Sequence, residues 1–484
     1  MLRIHSFGSI KLRAGSLTGN SGVFVTAWQG FTTLSCASNC QLGQIPAMTT
    51  LTTEQRARIT AATHKLLQPC TAFLQQLVRI DTTNPPGWNY PECAHLIGDT
   101  LGRLGYDVDY YEVPQSQLHA LAPHGKGLPR VNVVGRHEFA GGEGKVLHFN
   151  GHYDVVPCSE PSAWASPPFE AAIRNSVDGT EEIIGRGVSD MKGGIAAQVF
   201  AIEALKLAGL RLRGTIEHSG VADEETTGIK NAGMGYLVDI GVLSPEKQSA
   251  IVITEPLNTT NVCLGHRGAI WGRITFKGVE THGSTPQRGK NALAMAARYI
   301  VAAEQEIGEE LKKKVDVRVV PPEAQAASLT FTVFNSGHAT NLVPALATVT
   351  FDRRLVPGET LESARAEMKS LLRKMFKDDE WAYEETYSTE PVWVGEDEEI
   401  VKVWKQAVHD ACGVTAGVVC SPGSDDQRFV VHDAKMNSCI VYGPGNIRNV
   451  HNLNESLLLE DLRTGMEVMA LGAAMYLGFQ DLKA

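Results

Sequence analysis

Five side chains able to bind a metal ion each stand where a run of strand-like sequence stops. They are His152 in FNGHYDVVP, Asp190 in GRGVSDMKGG, Glu225 in ADEETTG, Glu255 in IVITEP and His451 in NVHNLNE. Groups ending separate strands can act together only where those strands finish at a common edge. In open α/β sheets that edge, outside the carboxyl ends, is where ligands collect. Two imidazoles and three carboxylates form a hard-to-borderline nitrogen and oxygen set, suited to Zn2+, Co2+ or Mn2+ and poor for soft ions. Two ions close together need about this many protein ligands, with one carboxylate shared. Such a pair activates water near neutral pH, so the chain reads as a hydrolase.

The surrounding pattern supplies the sheet. Apolar residues recur at helical spacing from Glu54 to Arg79, and the helix must stop at DTTNPPG (81–87), where paired prolines forbid continuation. A second helix is expected over 90–104, with strands over 107–113, 130–135 and 145–150, the last running into His152. A helix over 191–208 follows, and strands over 213–221 and 249–254 run into Asp223-Glu224-Glu225 and Glu255. Strands alternating with helices predict an α/β fold, a mostly parallel sheet with helices on both faces. After His266-Arg267-Gly268 the order becomes strand 268–278, helix 290–313, strands 327–335 and 346–355, helix 360–376 and strand 381–388. That βαββαβ order predicts a ferredoxin-like layer. Helix 396–411, strands 415–420 and 437–442 and a final helix over about 456–478 complete the chain. His451 lies in this last portion, so the second layer is expected as an insertion. The expected division is an N-terminal extension (1–47), a catalytic domain in two parts (48–266 and 390–484) and the inserted domain (267–389).

Composition closes off other classes. A net charge of -10 argues against nucleic acid and anionic membrane surfaces as partners. The longest apolar run, MALGAAMYLGF (469–479), is too short to span a bilayer as a helix. Nine cysteines without a CxxC pair suggest free thiols in a reducing compartment. There is no GxSxG elbow, GGEGKV (141–146) lacks the Ser or Thr of a P-loop, and GRGVSD has Asp190 where a dinucleotide loop needs glycine. Residues 1–47 hold Arg3, Lys11 and Arg13 but no acid, the composition of an organellar transit peptide. The alternative is an upstream start codon, with Met48 opening the ordered sequence. A cytoplasmic location is expected, or a mitochondrial one if this segment is a transit peptide.

Each candidate has a bland reading beside the chemical one. His152 alone could be a structural strand-end histidine; Asp154, two residues on, could orient its second ring nitrogen. Asp190 could be an N-cap or a carboxylate shared between ions. Glu224 and Glu225 repel one another unless cations or a proton intervene. Glu225 then reads as ligand and Glu224 as the base that takes a proton from the attacking water, against the alternative of a solvated acidic turn. Asn452 and Asn454-Glu455, after His451, could cap the helix beginning at SLLLEDL.

The motifs FLQQLVRIDTTNPPG, GHYDVVP, GRGVSDMKGG, ADEETTG, TEP, HGSTPQRGKNA, TNLVPA, FDRRLVPGETL and HNLNE together resemble the acetylornithine deacetylase / succinyl-diaminopimelate desuccinylase family, with aminoacylase and carboxypeptidase relatives. The resemblance runs from about residue 70 to the C-terminus. It implies two divalent ions, zinc with cobalt as the alternative: His152, Asp190 and Glu255 at one, and Asp190, Glu225 and His451 at the other. It also implies Glu224 as general base and Asp154 as the acid supporting histidine. The inserted domain becomes a lid and dimerisation domain whose His282 reaches a partner subunit's active site and polarises the scissile carbonyl. Asn341 and Arg354 match substrate-binding positions, Arg354 pairing with a substrate carboxylate. The expected activity is hydrolysis of the amide bond of an N-acyl amino acid, by a homodimer. The alternatives are a dipeptidase or carboxypeptidase acting on a short peptide, and a non-catalytic metal-binding homologue. One motif departs from the pattern: SPGSDDQRF (421–429) stands where the desuccinylase branch carries a GGTSDGRF-like turn, so a succinyl substrate does not follow.

Overall fold

The computed structural model describes residues 49–139, 144–176, 179–225 and 230–483, and the expectation for the N-terminal extension lies outside them. The fold is α/β, built on a nine-stranded sheet. Its heart is four parallel strands in the order Gly214–Val221, Val146–His152, Ala250–Pro256 and Cys439–Gly443. Asp107–Glu112 and Val131–Phe139 extend one side antiparallel, and Asn261–His266 the other. Ala250 and Val252 point into the larger core and Ile251 and Ile253 into a smaller one, so both faces are covered. The larger core is closed by helices Thr53–Arg79, Tyr90–Arg103, Lys192–Ala208, Glu399–Cys412 and Leu459–Leu477. Apolar runs such as AIVIT carry no alternation because both faces of such a strand are buried.

Helix Lys192–Ala208 lies close against the sheet. Gly194 allows this, since a side chain there would collide with the Thr254 carbonyl. The helix start therefore sits beside the carboxyl end of strand Ala250–Pro256, which brings Asp190 to Glu255.

A second, four-stranded sheet is wholly antiparallel, in the order Ser328–Ser336, Leu346–Leu355, Gly268–Lys277, Trp381–Thr389. Helix Leu361–Met375 and the helical stretch from Ala292 pack on it around their own core, including Phe276, Tyr299, Phe351 and Leu372. Besides the two chain crossings near Arg267 and Glu390, a third tie runs from the segment before Ser328. The Cys420 amide donates to the Arg318 carbonyl (2.8 Å), and the Val320 amide donates to that of Cys420 (3.1 Å). The Arg318 guanidinium stacks on Trp393, 3.6 Å from the ring centre.

Three details differ from the sequence reading. Strand Asn261–His266 was not foreseen, because a short apolar run is ambiguous by periodicity. The final helix begins at Leu459; Ser456–Leu458 instead pair with Glu182–Ile184 in a small third sheet. Accordingly neither Asn454 nor Glu455 caps that helix, whose N-cap position is Leu458. Among the described residues no helix is long and apolar enough to cross a membrane.

Candidate metal centre and active site

Three neighbouring parallel strands deliver their carboxyl ends to one place. His152 ends Val146–His152, Glu255 is the penultimate residue of Ala250–Pro256, and Glu224-Glu225 follow Gly214–Val221. Asp190 arrives on the turn before helix Lys192–Ala208, where Gly187 supplies a backbone φ of +86°. It is not an N-cap: Met191 holds that position and no side chain caps the helix. His451 reaches in from the loop after Cys439–Gly443 with its own φ at 62°, a conformation uncommon for histidine and typical of functional sites.

Asp190 is central. One of its carboxylate oxygens lies 3.1 Å from His152 Nε2 and the other 3.1 Å from His451 Nε2. His152 Nε2 is also 3.2 Å from Glu255 Oε1, and His451 Nε2 is 2.9 Å from Glu225 Oε1. Around an ion with ligand bonds of about 2.0–2.1 Å, neighbouring tetrahedral donors lie roughly 3.3 Å apart. The observed separations fit two such spheres sharing Asp190, one with His152 and Glu255, the other with His451 and Glu225. Donor atoms of His152, Glu224 and Glu255 also lie within 4.8 Å of one another, as do those of His152, Asp190 and Glu225. The cluster can hold metal.

Its electrostatics are those of a cation site. Burial alone would lower the His152 pKa, but Glu255 and hydrogen bonds to Asp154, Asp190 and Glu255 raise it well above the usual imidazole range. His451 is likewise pushed up, against burial, to about 11 by its hydrogen bonds to Asp190 and Glu225. Burial raises Glu224, Glu225 and Glu255, with neighbouring carboxylates adding to it, while the two imidazoles hold Asp190 low against its own burial. Proton-sharing of this kind among buried acids marks a site arranged for positive charge.

Behind these residues stands Asp154, which the sequence reading named, and around it a layer that it did not. The Asp154 carboxylate accepts the amides of both Glu224 and Glu225 (3.1 Å each) and lies 3.5 Å from His152 Nδ1. Asn84 donates from one amide nitrogen to Asp154 (2.9 Å) and to Asp223 (3.2 Å). Asp223, held at φ 58°, also accepts from Tyr90 (2.9 Å) and from Arg130 Nε (2.8 Å), and all five residues are buried. On the other side Glu455 is fully buried. Its Oε1 accepts the amides of Gly187 (3.1 Å), Ser189 (2.9 Å) and Asp190 (3.0 Å), and its Oε2 takes Arg186 Nη1 at 2.6 Å. The turn carrying Asp190 is thus clamped by a residue four positions past His451.

Two clefts open from the cluster. One, of about 230 Å3, is lined by the acidic ligands, Pro256, Leu257, Ile447, Val450 and the turn Ser421–Asp425. The other, of about 320 Å3, joins Glu224, Glu225 and His451 to Trp271, Arg354, Tyr387 and Arg428. Arg354 therefore faces the same space as the ligands, though its guanidinium is paired with Asp352 (2.7 and 3.0 Å). Arg428 donates to the Tyr387 hydroxyl, which also shares a 2.6 Å hydrogen bond with Ser424. His282 and Asn341 lie elsewhere. Both sit exposed at a small two-stranded sheet in which Thr281–His282 pair antiparallel with Leu342–Val343, and neither lines either cleft. His282 Nδ1 is occupied by Ser284 Oγ at 2.7 Å.

Comparison with known proteins agrees with this architecture. The profile of peptidase family M20/M25/M40 matches residues 148–474. The chain is 28% identical over 381 residues to a succinyl-diaminopimelate desuccinylase of Alkalilimnicola ehrlichii, an alignment covering 77% of this chain and 90% of that one. Among solved structures, the M20 family metallo-carboxypeptidase Sso-CP2 of Sulfolobus solfataricus superposes with a TM-score of 0.64 at 20% identity, covering 83% of this chain and 98% of that one. The di-peptidase Dug1p of Saccharomyces cerevisiae gives 0.65 at 16% identity, covering 88% and 99%. At such identities the structural likeness is one of fold.

Proposed function

This chain belongs to peptidase family M20/M25/M40, and we propose that its cluster holds two divalent cations for hydrolysing the amide bond of an N-acyl amino acid. It is a hydrolase acting on amide or peptide bonds. The observation that carries the two-ion reading is Asp190, whose two oxygens face two different imidazoles at equal distance. His152, Asp190 and Glu255 would hold one ion and Asp190, Glu225 and His451 the other. The nitrogen and oxygen donors suit zinc, with cobalt the alternative. When bound, such ions polarise a carbonyl and lower the pKa of water toward neutrality.

The chain's own groups do the rest. Glu224, half-buried and raised in pKa, takes the proton of the attacking water and returns it to the departing amine. Asp154 fixes its place by accepting the Glu224 amide, and its backbone carbonyl, 3.0 Å from His152 Nδ1, orients the ring from the other side. Arg354, at the wall of the second cleft, would exchange Asp352 for a substrate carboxylate, aided by its planar bidentate fork. His282 and Asn341, exposed and away from the clefts, fit a reach across a homodimer in which the partner subunit's His282 stabilises the developing oxyanion. A cytoplasmic location is proposed, mitochondrial if residues 1–47 are a cleaved transit peptide, which a mature terminus near Met1 in mass spectrometry would exclude.

The test is a substrate panel of N-acetyl and N-succinyl amino acids and dipeptides with metal-reconstituted protein, run beside Glu224→Gln. We expect turnover of at least one N-acyl amino acid and a loss of kcat of about 100-fold or more in the variant at full metal content. Turnover of dipeptides alone would favour the peptidase alternative. Undiminished activity in Glu224→Gln would remove Glu224 from the chemistry.

A further inference from the structure

Strand Gly417–Ser421 runs into a turn, Ser421–Arg428, that forms one wall of the acidic cleft. This turn carries two consecutive acids, Asp425 and Asp426. The two diverge. Asp426 turns into the protein, where its Oδ1 accepts from Asn231 at 3.0 Å. Asp425 instead lines the cleft with Glu224, Glu255 and His451, although only 7% of it is exposed. One of its oxygens accepts the Gln427 amide at 2.8 Å, and no other side-chain hydrogen bond to this carboxylate is made among the described residues.

A buried carboxylate with one hydrogen bond and no salt bridge is costly unless something cationic joins it. Burial pushes its carboxyl up to about 7, against the pull of the Gln427 amide and with the repulsion of Asp426 added. Among the described residues no cation forms a salt bridge with Asp425: the imidazoles of His152 and His451 face Asp190, Glu225 and Glu255, and Arg428 donates to the Tyr387 hydroxyl. The walls nearby are apolar, Pro256, Leu257, Ile447 and Val450, which suits a methylene chain ending in a charge.

We propose that Asp425 makes this end of the cleft a subsite for an alkylammonium group on the substrate. The inference rests on the hydrolase reading above and adds to it the charge of the substrate. Two sources carry that group: the side chain of an N-acyl diamino acid, or the free α-ammonium of a short peptide. A charge-assisted hydrogen bond in a dry cleft corresponds to about 10- to 100-fold in affinity.

The experiment compares matched pairs with metal-loaded wild type, Asp425→Asn and Asp425→Ser. N-acetylornithine against N-acetylnorvaline varies only the side-chain ammonium; alanyl-alanine against propionyl-alanine varies only the α-ammonium. The readout is the ratio of kcat/KM within each pair, with metal content and thermal midpoint confirming folded protein. We expect wild type to prefer the cationic member of one pair by about tenfold or more, and both variants to bring that ratio near unity, chiefly through KM. Collapse in the ornithine pair assigns the side-chain source, and collapse in the peptide pair the α-ammonium. A ratio unaltered by both variants, with activity present, overturns the inference and leaves the hydrolase reading standing. If wild type hydrolyses none of the four and no member of the wider N-acyl panel, the N-acyl amino acid reading fails instead. Calorimetric binding of ornithine and of norvaline then decides the subsite. Ornithine binding that weakens in Asp425→Asn supports it, and equal binding to both proteins overturns it.

Discussion

Replacing Glu455 with Gln isolates the clamp that holds Asp190. The change keeps shape and removes one acceptor and one charge. The amide can turn its oxygen toward the amides of Gly187, Ser189 and Asp190, keeping three hydrogen bonds, and then its NH2 faces Arg186. Turned the other way it would leave three buried N–H groups without an acceptor, at about 1–3 kcal/mol each, so the first orientation wins. The loss is then the 2.6 Å charge-assisted bond to Arg186 and the isolation of a guanidinium whose side chain is 4% exposed. Removing one member of a buried pair costs about 3–5 kcal/mol. Burial, however, already raises the Glu455 pKa despite the nearby Arg186, so losing its charge recovers part of that desolvation. The net expectation is roughly 2–3 kcal/mol of destabilisation.

Metal retention reports the clamp more directly. Outer groups that orient ligands typically contribute 10- to 100-fold in metal affinity. Glu455→Gln should therefore lose its ions to a competing chelator at about 10- to 100-fold lower chelator activity than wild type. Combining it with Arg186→Met, which removes both charges, should restore much of the stability while metal retention stays weak. Wild-type retention in Glu455→Gln would show that the Asp190 turn is fixed by something other than this carboxylate, and the argument would fail.

Other outcomes follow from the same geometry. Arg130→Met removes the cation facing Asp223 in a site with both side chains fully buried and should cost about 3–5 kcal/mol in chemical denaturation; adding Asp223→Asn should recover part of it, and an additive double variant would deny the pairing. In metal-free protein the raised His451 pKa means a stabilising proton, fully present below about 6.5 and lost as pH climbs toward about 11. Thermal midpoints of chelator-treated protein should therefore fall from pH 6.5 to pH 9, and apparent metal affinity should rise over the same window; a flat pair of profiles would contradict it. His282→Ala and Glu224→Gln proteins, each nearly inactive, should regain activity when mixed and allowed to exchange subunits. Demonstrated exchange without recovery would confine His282 to its own chain.

The candidate ligand residues stood out in the sequence because His152 and Glu255 close apolar strands and because adjacent acids such as Glu224-Glu225 demand an explanation; Asp190 and His451 instead arrive on a turn and a loop, not on strand ends. The antiparallel second sheet was legible from element order alone, since βαββαβ leaves few ways to pair four strands. The supporting layer was not. Arg130 reads as one more surface arginine, and only the fold shows it buried against Asp223. Glu455 reads as a helix cap before SLLLEDL, yet residues 456–458 are drawn into pairing with 182–184, which moves the helix start to Leu459 and turns Glu455 inward.

That difference has one physical source. A sequence displays donor atoms but not their directions, and sharing an ion pair is a matter of direction. Asp190 can face His152 with one oxygen and His451 with the other only if its backbone is held within a few tenths of an ångström. The holding is done by Gly187, which turns the chain, by Gly194, which lets the helix approach the sheet, and by Glu455, which takes the turn's amides. None of these binds an ion. Any count of ligands would judge these residues dispensable, and the fold makes them conditions for the site's geometry.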